Sequence, residues 1–95
     1  MGLTKKEHPR RIFPREELME KLRPIIGHKV TPYAGTLELI LKDWGFNLPG
    51  FEEINGDVYY GFHATVNSKT YTKLSMEYVD ALAEEIIFVT EHKMI

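Results

Sequence analysis

The chain has 95 residues, of which 43% are hydrophobic and 27% charged, with seven Gly, five Pro, a formal charge of -2 and no Cys. That length supports one domain, and the composition excludes a disordered tail, a fibre, a disulfide scaffold and a thiolate metal site. No apolar run reaches the roughly 20 residues needed to cross a bilayer and no signal-peptide stretch opens the chain, so a soluble cytoplasmic protein is expected.

Charge divides along the chain. Residues 1–32 hold eight Lys or Arg against four Glu, a local +4, and residues 33–95 hold four bases against ten acids, a local -6. The two parts can attract each other within one fold or offer opposite fields to partners. Residues 1–12 are expected to form a basic, extended arm ahead of one globular domain over residues 13–95. In and beside the arm, Lys5, Lys6, Arg10, Arg11 and Arg15 are the candidate nucleic-acid contacts, since such a segment can lie along phosphates. The alternative is ordinary solvated charge.

A first helix is expected from Pro14, which fits the first helical position, with Glu16 and Glu17 at the positive end of the dipole and Leu18 and Leu22 on one face. Pro24 is expected to end or kink it before Gly27. A second helix is expected from Thr31 and Pro32, or from Thr36. Tyr33, Leu37, Ile40, Leu41 and Trp44 recur at helical spacing, Gly45 supplies a left-handed stop, and Phe46 can fold back onto the stripe.

Asn55-Gly56 is a tight hairpin signal. After it, Val58, Tyr60, Phe62, Ala64 and Val66 alternate with Asp57, Tyr59, Gly61, His63 and Thr65, which predicts a two-faced strand with the Val58 side against the helices. Gly61 marks a bulge or a close backbone approach. Asn67-Ser68-Lys69 turns the chain into a strand over Thr70 to Leu74. If Thr70 pairs with Val66, Tyr71 and Lys73 join His63 on the outer face; a one-residue slip reverses that.

Ser75 is expected to cap a third helix with Met76, Val79, Leu82, Ala83 and Ile86 inside and Glu77, Asp80, Glu84 and Glu85 in water. Residues 86–90 are β-branched or aromatic throughout. They are read as a short final strand after a helix ending near Glu85, and its exposed edge could pair with a second copy. The fold class is α+β: three short helices packed on one face of a small antiparallel sheet of three to four strands.

No cofactor motif stands out. The four His lie in different elements, the Glu pairs are adjacent rather than convergent, and neither a phosphate loop nor a nucleophile elbow is present, so no metal site is expected. Asp57 and His63 sit about 20 Å apart on one strand, so catalysis at His63 needs an acid from elsewhere, such as Glu52, Glu53 or Glu84. The remaining candidate is an interaction surface of Asp57, Tyr59, His63, Thr65, Tyr71 and Lys73, serving a protein partner or self-association. The expected function is a small interaction or regulatory protein. A nucleic-acid-associated protein and a small enzyme centred on His63 are the alternatives.

Overall fold

The computed structural model describes residues 11–94, so most of the expected arm, including Lys5, Lys6 and Arg10, lies outside the described residues. The elements run α1 (Glu16–Ile26), α2 (Ala34–Asp43), β1 (Gly50–Ile54), β2 (Asp57–Val66), β3 (Lys69–Ser75) and α3 (Tyr78–Glu91). The strands form one antiparallel meander in the order β1-β2-β3. The described residues thus form an α+β fold with three helices and three strands. Of the helices, α3 alone packs closely on the sheet, against β2 and β3, while α1 and α2 pack on α3.

The third helix departs most from expectation. It runs unbroken through residues 86–90, so no final strand exists there and no edge for a second copy to pair with. The cause is burial on all sides. Leu82 and Ile86 are fully buried with Leu22, Leu37 and Leu41, while Phe88 meets Phe62 and Tyr71 of the sheet with ring centroids 5.3 and 5.2 Å apart. A helix buried on all sides is a central helix, and each fully buried Leu or Ile contributes roughly 1.5–3 kcal/mol. Its start also moves: Ser75 ends β3, Glu77 occupies the N-cap position, and Met76 is exposed rather than inside. Asp80 and Glu85, expected in water, are 2% and 6% exposed.

The first two helices differ only at their ends. α1 starts after Pro14, with Arg15 at the N-cap, and continues through Pro24 to Ile26 before Gly27 at φ 93°. Pro24 is tolerated because it sits exposed in the last turn, where a lost hydrogen bond costs little. α2 starts at Ala34, between the two expected starts. Its end follows expectation: Gly45 has φ 88°, the Phe46 N–H donates to the Leu41 carbonyl at 2.9 Å, and Phe46 packs back on the core.

Both hairpins turn on two residues with positive φ, Asn55-Gly56 and Asn67-Ser68, the geometry whose twist matches paired strands. The second turn places Val66 opposite Lys69 and Ala64 opposite Tyr71. A two-residue turn thus shifts the pairing by one from a Val66–Thr70 match, and every side chain of β3 changes face.

Gly61 is a site of close backbone approach. A Cβ there would run into the Lys73 carbonyl oxygen and lie 2.8 Å from Leu74 Cδ2. Gly61→Ala is therefore expected to cost about 1–3 kcal/mol by forcing β2 and β3 apart, measurable by urea denaturation together with faster amide exchange in β3.

Candidate functional site

Strand alternation and the observed register decide which candidates share a surface. Asp57, Tyr59, His63 and Thr65 lie on one face of β2, with Thr70 and Thr72 as the β3 partners of Thr65 and His63. None of the described helices covers this face, because α3 packs from the other side. Tyr71 and Lys73 are not part of it. The one-residue shift puts them on the helix side, where Tyr71 packs on Phe88 and sits 5.0 Å from the His92 ring. The outer surface gains Leu74 in their place.

His63 finds its acid on β1. Glu52 Oε2 lies 2.5 Å from His63 Nε2, and Thr72 Oγ1 lies 2.9 Å from Nδ1. No side chain stands between His63 and Glu52, because the residues paired at that point are Gly50 and Gly61. A carboxylate has no proton to give, so the Nε2 N–H donates to Glu52, while Nδ1 and the Thr72 hydroxyl share the second hydrogen bond, whose donor follows the ring's protonation. The result is a Glu52–His63–Thr72 chain across three strands. Asp57 takes no part in it.

The described basic candidates are already engaged. The Arg11 guanidinium donates to Asp80 Oδ2, the Arg15 backbone N–H donates to Asp80 Oδ1 at 2.9 Å, and the Arg15 guanidinium reaches Asp80 and Glu84 at 3.4 and 3.5 Å. The buried Asp80 carboxylate thereby satisfies an N–H at the start of α1 and anchors two cations from the preceding segment. The attraction between the basic and acidic parts of the sequence is spent inside the fold at these residues.

The second feature is a pocket of about 530 Å3 between the C-terminal half of α3, the α2–β1 connection and β1–β2. Phe46, Leu48, Phe51, Phe62, Phe88, Val89 and Met94 contribute its apolar wall; His63 and Glu52 also line it. Its other acid, Glu85, is buried, and Glu85 Oε1 has no hydrogen-bond partner among the described residues. Burial pushes the Glu85 carboxyl up to about 7. Nearby on α3, the Tyr78 hydroxyl donates to Glu38 at 2.7 Å; burial and that acid raise it well above the usual phenol range.

Sequence reasoning missed Asp80 and Glu85. For Glu85 the signal was present: once the helix runs through residue 90, its neighbours three and four positions away are Ala81, Leu82, Phe88 and Val89, all apolar. Among the described residues no group of three or more His, Asp or Glu is placed to hold a metal ion, and no helix is long and apolar enough to cross a membrane. No protein-family model, curated protein or solved structure shows a significant match to the chain.

The raised Glu85 value carries a signed consequence. Below the ordinary carboxylate range the group is protonated in both folded and unfolded chains; between there and about 7 the folded chain binds the extra proton, so stability falls as pH rises. The size of the shift corresponds to about 3 kcal/mol at most. Glu85→Gln, which keeps the shape of the protonated acid, is expected to raise stability by about 1–3 kcal/mol at pH 8 and to change it little near pH 4.5, as read from urea midpoints at the two pH values.

Proposed function

We propose that this chain is a small interaction protein that captures a protein partner through the helix-free face of its sheet and the adjoining β1–β2 hairpin. The observation that carries this reading is the one-sided cover of the sheet, with Asp57, His63 and Thr65 exposed and Tyr59 half-buried on the uncovered side. Ile54 shares that side at 39% exposed, Phe51 and Val58 are 70% and 41% exposed on the opposite side of the hairpin, and β1 is an edge strand of the described sheet. Exposed apolar groups beside unpaired strand backbone favour association.

Charge selects the kind of partner. From Asp43 to Ser68 the chain holds four acids and neither Lys nor Arg, so a complementary surface is basic. A second copy is disfavoured, because pairing two β1 edges would set Glu52 and Glu53 of one copy near those of the other. Nucleic acid is disfavoured at Arg11 and Arg15 by their pairing with Asp80. In a pull-down from extract of the native cell, a basic partner is expected to be retained by the wild-type chain and eluted by added salt. Retention is expected to fall at least about fivefold with Asp57→Lys or Tyr59→Ala, both of which should keep the native circular dichroism. Equal retention by wild type and variants would overturn the assignment.

A second reading rests on the Glu52–His63–Thr72 chain, since a carboxylate orienting an imidazole that contacts a hydroxyl is the arrangement that activates a nucleophile. It is the weaker one because the His63 and Glu52 side chains are 56% and 41% exposed, and water weakens electrostatic catalysis. Under it, the wild-type chain hydrolyses an activated ester such as p-nitrophenyl acetate and Thr72→Ala does not. Equal rates for the two chains would leave the triad as a strand cross-link.

A further inference from the structure

We propose that the pocket between α3 and the β1–β2 hairpin is a binding site for a small primary amine bearing an aromatic or branched aliphatic group, with its ammonium paired to Glu85. The inference goes beyond the protein-partner reading and uses different residues for its central contact.

Three observations carry it. The pocket, at about 530 Å3, falls within the range of about 300–1,000 Å3 typical of small-molecule sites. Its wall is built largely from hydrocarbon and aromatic rings, Phe46, Phe62 and Phe88 among them, whose faces attract a cation as well as an apolar group. Set into that wall is a carboxyl group more than nine-tenths buried, one of whose oxygens lacks any hydrogen bond among the described residues. Buried polar atoms are ordinarily satisfied, and an acid left alone in an apolar wall is the exception that asks for a partner.

The lining itself contains no such partner. Among the described residues neither Lys nor Arg lines the pocket, and both ring nitrogens of His63, the one basic side chain among them, are engaged by Glu52 and Thr72. Other ligand chemistries fit less well. A metal ion would find a single available carboxylate, too few ligands for a protein-built site. An anion would face the carboxylates of Glu85 and Glu52. A purely apolar molecule would fill the space and leave Oε1 unsatisfied. An ammonium supplies three donors to the acid, and its hydrocarbon portion replaces water against the rings.

The test is a titration of the full-length chain with 2-phenylethylamine, followed by amide NMR shifts and by thermal stability. The neutral 2-phenylethanol and the anionic 3-phenylpropionate serve as comparators of similar size. The expected result is saturable binding of the amine with shifts centred on Phe62, Glu85 and Phe88, at least tenfold weaker binding of both comparators, and at least tenfold weaker binding of the amine to Glu85→Gln. The comparators test the charge requirement on the wild-type chain, so the result stands even if the variant does not fold. Tyr59→Ala, which lies outside the pocket lining, is expected to bind the amine as the wild type does, which separates this site from the partner-binding face. Absence of binding at millimolar amine, equal affinity for the alcohol, or undiminished amine binding by a folded Glu85→Gln would overturn the proposal.

Discussion

Burial of α3 on every side is the constraint on which the rest of the molecule depends. Two short helices cannot bury their apolar faces against a three-stranded sheet and also cover each other unless something apolar lies between the layers. The stretch from Val79 to Val89 supplies it, taking Leu22, Leu37 and Leu41 on one side and the rings of Phe62 and Tyr71 on the other. A central helix of this kind must bury whatever its sequence contains. It therefore buries two acids, and the fold resolves them in opposite ways. Asp80 gains Arg11, Arg15 and a helix-start N–H, whereas Glu85 keeps its Oε1 without a hydrogen-bond partner among the described residues and lines a pocket.

That contrast links stability to function. A paired buried acid holds the segment before α1 to α3 and engages two cations that stay partly exposed, which weakens a nucleic-acid role for them. An unpaired buried acid opposes folding once ionised, and a protein keeps such a group most readily where something else satisfies it. The two acids belong to one helix, five residues apart, and their different surroundings come from which layer each one faces.

The sheet has its own division of labour. One face supplies the aromatic floor for α3, and the other is left to solvent with an ordered line of polar contacts through Glu52, His63 and Thr72. The facing glycines Gly50 and Gly61 permit both features: they let strands approach closely at Gly61 and remove side chains from the path between His63 and Glu52. The hairpin end extends beyond the cover of α3, which leaves Phe51 and Val58 exposed on the side that faces the helix layer farther along the sheet. An uncovered acidic and aromatic surface next to an apolar strand edge is the physical basis for reading the chain as an interaction protein.

Local chemistry was enough to determine a good part of this from the sequence. Alternation over Asp57 to Val66 fixed which side chains of β2 share a face, Asn55-Gly56 fixed the first hairpin, and Gly45 with Phe46 fixed the end of α2, because each rests on backbone sterics acting over a few residues. The second turn was visible but its length was not, since Asn67-Ser68-Lys69 closes either a two- or a three-residue loop; that single residue decided whether Tyr71 and Lys73 faced solvent or Phe88. The conformation of residues 86–90 was beyond local reasoning, because a β-branched apolar run suits a buried strand and a buried helix alike, and only contact with layers on both sides selects the helix. The burial of Asp80 and Glu85 and the meeting of His63 with Glu52 likewise belong to the tertiary structure: they depend on which groups distant in sequence come to lie opposite one another, and no periodicity within a segment encodes that.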